Sequence, residues 1–332
     1  MFDRIYIEDS VRDEALTLEL LERFPEADQI PCQRYTEIFN KKAQNFRLQK
    51  KNPSLILASK FDNFVLPVPD GFGIGAKENY YFSHMLNCLY DCRYCFLQGM
   101  YSSANYVLFV NYKDFLSSIN DKIESLKGQN VHFFSGYDCD SLAFEPVSHF
   151  AASFLPLFRE RPHALIELRT KSTQIRSLLD IDAFENCVVA FSLTPESIAK
   201  ELEHKAPTVQ KRIEAMLRLQ EHGWQIGLRF DPMIYHSEFI DTYAELFSAV
   251  FSQLDINLIH SVSVGNFRLP KNFFKRLLRM YPDEKLFASP IEEIGGVITY
   301  KSSLHDDLFE QCSQMILKHI PADKFHPCNN VL

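Results

Sequence analysis

Glycine is scarce in this chain, 11 of 332 residues, which excludes a fibrous or loop-dominated polypeptide. Positive charge is in deficit too: 35 Lys and Arg face 43 Asp and Glu, for a net charge of −8. That excludes a nucleic-acid binder relying on bulk charge and leaves room only for a local basic patch. No apolar run approaches the roughly 20 residues that span a bilayer. The opening stretch MFDRIYIEDSVRDEALTLELL is acidic and lacks the basic-then-apolar layout of a secretory leader. The expectation is a soluble, cytoplasmic protein with no membrane partner. Eight cysteines are too few for a secreted disulfide scaffold, so a tight cysteine cluster in a reducing compartment reads as metal-binding or redox-active.

What the chain has in quantity is core material: 46% hydrophobic residues, with 29 phenylalanines. The length suits one or two domains and lies in the range of α/β barrels. Residues 1–78 read as an extension, with a strand at IYIE, a helix through DSVRDEALTLELLERFP, and turn chemistry closing ILASKFDNFVLPVPDGFG. From about residue 79, short β-branched and aromatic runs alternate with helical segments. The strands are predicted at 80–86, 131–137, 164–170, 188–193, 225–230 and 259–264. Helices are predicted near 113–126, 145–158, 173–181, 208–222, 238–252 and 271–280. Strands apolar on both faces are those of a parallel sheet covered by helices. Six β/α repeats predict a partial (β/α)6 barrel over 79–285 rather than a closed eightfold one, with a C-terminal hairpin and helix over 286–332.

In such a sheet ligands bind at the carboxyl ends of the strands. That rule selects Cys88, Tyr137 to Asp140, Lys171, Ser192, Asp231 and Arg268. The strongest chemical signal is NCLYDCRYCFLQ, which spaces Cys88, Cys92 and Cys95 as C-x3-C-x2-C. Three thiolates can hold three corners of a 4Fe-4S cluster. The fourth iron is then open to the amino and carboxylate groups of S-adenosylmethionine. An electron passed through that corner would cleave the sulfonium and release a 5′-deoxyadenosyl radical. The rival reading is a structural zinc, which needs a fourth ligand such as His84 or Cys139. Tyr94, just before the third cysteine, either packs against an adenine ring or fills its own loop. Cys32, Cys187, Cys312 and Cys328 are scattered and read as buried or idle thiols.

The cysteine spacing with an aromatic before the third cysteine resembles the radical S-adenosylmethionine superfamily. Within it, the chain resembles the spore photoproduct lyase family through IYIE, CRYCFLQ, LRTK (168–171), FSLTPE (191–196), KRIEAM (211–216) and GLRFDPMIYH (227–236), in that order. The resemblance implies a partial barrel of radical S-adenosylmethionine type and repair of a UV-induced thymine lesion in DNA. It also implies an electron donor such as flavodoxin or ferredoxin. It matches Lys171 to a lysine near the cofactor carboxylate, where a charge-assisted hydrogen bond suits a cation, and Ser192 to a serine contacting the cofactor. It matches Asp140 to an acidic residue after the second barrel strand, which with Asp231 is a candidate to orient the cofactor. The plain readings of Lys171 and Ser192 are a solvated surface lysine and a satisfied strand-end hydroxyl. Asp231 stands where the family has a small residue; it either binds the ribose or amine, or caps the next helix.

Two departures bear on the chemistry. Phe96 follows the third cysteine where the family has tyrosine. The family's hydrogen-returning cysteine aligns with Tyr137, and Cys139 lies two residues on. Period-two alternation lets both face one way if the strand persists, so Tyr137, Cys139 or neither donates hydrogen. For nucleic acid, NFRLPKNFFKRLLRMYP offers Arg268, which resembles a family arginine beside DNA. Lys271, Lys275 and Arg279 recur every four residues on one helix face. That stripe holds phosphates or is simply a solvated face. EEIGGVITYK (292–301) predicts a hairpin around Gly295–Gly296, which in the family pries out the lesion. Two further readings stand beside DNA repair: radical chemistry on a peptide or small molecule, and a zinc-bearing interaction protein.

Overall fold

The computed structural model describes residues 2–69 and 71–328. Six parallel strands lie side by side in chain order: Glu78–Phe82, Val131–Ser135, Ala164–Thr170, Cys187–Ser192, Gln225–Met233 and Ile259–Asn266. The two-residue strand Leu66–Pro67 pairs antiparallel on the outer edge of the first. Every residue of Cys187–Ser192 is buried, as a central parallel strand covered on both faces requires.

The crossover helices bury one face each. In Tyr112–Ser125 the buried residues are Phe115, Ile119 and Ile123, four apart, so a single apolar stripe meets the sheet. Val209–Glu221 begins at Thr208, whose side chain accepts a hydrogen bond from the Lys211 backbone N–H. Phe239–Phe251 packs Phe247 edge-on against Phe230 at 4.8 Å. The chain is thus an α/β fold with the six repeats expected of a partial barrel. Beyond its last strand, the backbone N–H groups of His326 and Cys328 donate to Val262 and Val264, both at 2.8 Å.

Three expected elements break where the local chemistry demands it. The run 80–86 is two strands, since Met85–Leu86 leaves the barrel and joins another sheet. The helix expected at 145–158 stops at His149, whose φ of 50° is left-handed, and restarts as Phe150–Arg159. The Glu145 carboxylate accepts the Ala151 N–H across that break at 2.9 Å. The helix expected at 173–181 shrinks to Arg176–Leu179, because Ser172 Oγ takes the Gln174 N–H into a turn.

The N-terminal residues build a second sheet in the order Asp28–Cys32, Arg4–Glu8, Leu55–Ala58, Tyr106–Phe109, Met85–Leu86. Its last two strands flank the cysteine loop, so N-terminal extension and barrel are interleaved in sequence. Ile5, Leu55, Leu57, Met85 and Leu108 form its dry core. The hairpin expected around Gly295–Gly296 joins Ile291–Ile294 to Val297–Tyr300. Both glycines have positive φ, 58° and 86°, which the tight two-residue turn of a hairpin requires. Arg268–Pro270 adds a third strand.

Candidate active site

The cysteine loop is pinned at several points before any ligand is considered. Asn87 donates to the Ser103 and Asn105 carbonyls at 2.7 and 2.8 Å. Gln98 donates to the Cys92 carbonyl at 2.5 Å. Cys92 pairs backbone to backbone with Glu203, and the Arg93 N–H reaches Leu202 O at 2.8 Å. Cys95 then opens the helix Phe96–Met100. The three thiols line one cavity of about 140 Å³ together with Lys171, Ser192 and Asp140. A lysine from the N-terminal extension, Lys50, lines it as well and donates to the Cys88 carbonyl at 2.6 Å. Nothing in the sequence around Lys50 marked it for this place.

Burial pushes all three thiols up, Cys88 to about 12, so metal binding here releases protons. Among the described residues, no three Cys, His, Asp or Glu side chains are gathered to hold a single metal ion. A cubane makes a different demand, because each of its three sulfur-held corners is a separate iron. Thiols distributed around one cavity fit that demand, and the donor set is sulfur only. His84, the alternative zinc ligand, is fully buried with its ring stacked on Phe150 at 3.9 Å, and it does not line the cavity.

Lys171 lies 3.9 Å from Glu203 and 5.6 Å from the centre of the Tyr94 ring. Glu203 is fully enclosed and also accepts from the Tyr94 hydroxyl, from Thr194 Oγ1 at 3.1 Å and from the Arg212 guanidinium. Burial alone would raise the Glu203 carboxyl, but Lys171 and Arg212 outweigh it and hold the group below its usual range. Sequence reasoning missed this centre, although Arg212 on an otherwise apolar helix face was a usable signal. Tyr94 is buried, with its hydroxyl spent on Glu203 and its ring in the cavity wall.

Asp140 faces inward on its own chain. One carboxylate oxygen accepts from Thr170 Oγ1 at 2.6 Å, Leu142 N–H at 3.0 Å and Ala143 N–H at 2.9 Å; the other takes the Lys171 N–H at 2.6 Å. It therefore fixes the backbone from which Lys171 projects. Asp231 and Arg268, read separately from the sequence, form one bidentate pair at 3.0 and 2.9 Å. Asp231 and Ser192 line a neighbouring cavity of about 50 Å³. Cys328, expected to be buried or idle, is half-buried, lines it too and sits 3.1 Å from Arg268.

The strand before Tyr137 ends at Ser135, so the alternation that would align Tyr137 with Cys139 does not continue. Tyr137 is 36% exposed at the cavity rim, stacked on Tyr81 at 4.4 Å and 5.7 Å from the Phe96 ring. Cys139 also borders the cavity but is buried in the core of the second sheet.

Of the basic stripe, Lys271 is paired with Glu293 of the hairpin at 2.6 Å. Arg276, beside the stripe on the same helix, is exposed yet donates to the carbonyls of Gly99 and Met100 at 3.0 and 3.2 Å, and Lys275 and Arg279 are exposed as well. The helix Lys271–Met280 docks on Phe96–Met100 where Gly99 permits contact. A Cβ on Gly99 would fall 2.6 Å from Phe273 Cβ.

A family model described as Spore photoproduct lyase matches residues 76–293. Spore photoproduct lyase of Clostridium acetobutylicum is 23% identical over 292 residues, covering 86% of this chain and 84% of that protein. That of Bacillus subtilis is 23% identical over 205 residues, 60% of this chain and 59% of that one. Among solved structures, a spore photoproduct lyase complexed with dinucleoside spore photoproduct aligns with a TM-score of 0.85 at 15% identity, covering 99% of both chains. A doubly substituted spore photoproduct lyase with bound AdoMet and the same ligand gives 0.86 at 16%, covering 99% of this chain and 98% of that one.

Proposed function

We propose, from the premise that this chain belongs to the spore photoproduct lyase family, that it is a radical S-adenosylmethionine enzyme repairing a UV-induced thymine lesion in DNA. The observation that carries this is one cavity shared by Cys88, Cys92, Cys95, Lys171 and Ser192. When bound, a 4Fe-4S cluster and S-adenosylmethionine supply a 5′-deoxyadenosyl radical. Cys88, Cys92 and Cys95 hold the cluster. The Lys171 ammonium would hold the cofactor carboxylate by a charge-assisted hydrogen bond, with the Ser192 hydroxyl in the same cavity as a second polar partner. Asp140 and Glu203 act through Lys171, one fixing its backbone and the other facing its ammonium. The largely apolar walls of the cavity limit water around the reacting atoms.

Tyr137, exposed at the rim, is the better placed of the two candidate hydrogen donors, and Cys139 is the alternative. Phe96 has no transferable hydrogen of useful bond strength, so a tyrosine relay through that position does not operate here. The lesion approaches over the hairpin and the helix Lys271–Met280, with Lys275 and Arg279 available to phosphates. An extrahelical base is required for contact with the radical. A small reduced flavodoxin or ferredoxin delivers the electron. No described helix is long and apolar enough to cross a membrane, and we place the protein in the cytoplasm.

A second reading, radical chemistry on a peptide or small molecule, is favoured by the pairing of Arg268 with Asp231 and of Lys271 with Glu293, which removes two cations from phosphate binding. One series of experiments separates them. After anaerobic reconstitution and reduction, 5′-deoxyadenosine should be released by the wild type and not by Cys92→Ala. UV-irradiated thymine dinucleotides and oligonucleotides are then the substrates to test. Cofactor cleavage without turnover of any photoproduct removes the repair reading and leaves the second. A colourless protein holding one zinc and no sulfide removes both.

A further inference from the structure

Lys50 is only 6% exposed. It follows the short helix Phe46–Gln49 of the N-terminal extension and lines the cavity of the three cysteines. Its ammonium donates to the Cys88 carbonyl at 2.6 Å, and no carboxylate oxygen of the described residues lies within 4.0 Å of it. Asp91, the acid that acts on it from further away, is already paired with Arg93 at 2.9 Å, and Lys205 adds a like charge. A buried ammonium with no counter-ion is costly, and burial pulls the Lys50 pKa down; an opposite charge arriving in the cavity is what holds such a group protonated. Lys171, the other lysine of the cavity, has Glu203 beside it. Lys50 has only neutral company, the Cys88 carbonyl and the Tyr106 ring 5.5 Å away, beside the cavity.

We infer that Lys50 is the counter-cation of the iron–sulfur cluster: it offsets the negative charge of the thiolate-ligated cluster, favours its reduced state, and couples the N-terminal extension to cluster retention. The inference rests on the cluster reading above and adds a residue outside the barrel to the cluster's environment. Lys50 is a positioning and charge-balancing residue here, acting through Cys88 and the cluster's field rather than on the substrate.

The test uses the full chain reconstituted anaerobically with iron and sulfide, as wild type, Lys50→Met, Lys50→Gln and Lys50→Arg, each checked for folding by circular dichroism. The readouts are iron and sulfide per chain, the midpoint potential by redox titration followed by electron paramagnetic resonance, and S-adenosylmethionine affinity by equilibrium binding. Loss of the charge should make reduction harder. The reduced-to-oxidised ratio at a fixed potential falls about tenfold in the Met and Gln variants, equivalent to about 59 mV toward negative potential for one electron. Iron should also pass to a chelator several-fold faster, and Arg should restore both properties.

Unchanged potentials in Met and Gln overturn the inference. So does full rescue by Gln, which keeps a donor to Cys88 but no charge, since that would make the residue a hydrogen-bonding strut. A fall in S-adenosylmethionine affinity at unchanged potential also overturns it, by making Lys50 a ligand of the cofactor carboxylate. A wild-type chain that takes up no iron sinks the cluster reading and this inference together. Clustered wild type with indifferent Lys50 variants sinks this inference alone.

Discussion

Replacing His84 by phenylalanine should flatten the acid side of this protein's stability curve. His84 is fully buried, stacked on Phe150 with an interplanar angle of 6°, and neither ring nitrogen has a hydrogen-bond partner. Burial pushes its pKa down from 6.5 to about 3. Between those values the unfolded chain binds a proton that the folded chain refuses, so stability falls as pH falls. From pH 6.5 to pH 5 the loss is about 2 kcal/mol, at about 1.36 kcal/mol per pH unit. The His84→Phe variant would keep the ring stack and remove both the titration and a buried, unpaired N–H, which is itself worth about 1–3 kcal/mol at every pH. Guanidinium unfolding of the metal-free chain at about pH 7.5 and pH 5 measures the difference. The single tryptophan, Trp224, is fully buried and reports the transition. The drop between the two pH values should shrink by about 2 kcal/mol in the variant. His132 and His260, each lowered to about 4 mainly by burial, leave a residual slope. An unchanged drop would refute the reasoning, because His84 would then not be a proton-excluding group.

Asp140→Asn places an amide N–H₂ against the Lys171 N–H, which costs about 1–3 kcal/mol for the unpaired group. Thermal stability should fall, and equilibrium binding of S-adenosylmethionine to the reconstituted chain should weaken about tenfold. Gly99→Ala drives a methyl group to within 2.6 Å of Phe273 Cβ and should destabilise the chain by about 1–3 kcal/mol. Chemical denaturation reads that loss, and faster iron release should accompany it because the helix after Cys95 must shift. Glu293→Gln frees Lys271 from its 2.6 Å pairing. Affinity for UV-irradiated oligonucleotides, followed by fluorescence anisotropy, should rise at low salt, with a salt slope steeper by about 1. An unchanged slope would place Lys271 away from the phosphates.

Much of the framework was written locally and could be read without coordinates. The six barrel strands and four of the six expected helices follow from apolar periodicity, and the residues at the strand ends follow from the polarity of parallel sheets. The other two helices are broken or cut short by local side-chain hydrogen bonds and a left-handed His149. Cys88, Cys92 and Cys95 announced themselves because a short loop fixes both of their spacings. Tertiary structure decided whatever depends on segments far apart in the chain. Tyr106–Phe109 and Met85–Leu86 belong to the N-terminal sheet, since hydrogen bonding across strands has no local signature. Asp231 and Arg268 were each legible as charged strand-end residues, but their mutual pairing required a barrel strand and a strand of the hairpin sheet to be placed. Glu203 and Lys50 carried no motif at all. Their burial against the cysteine loop gives them their significance, and burial of a single charge is a property of the assembled core rather than of the sequence around it.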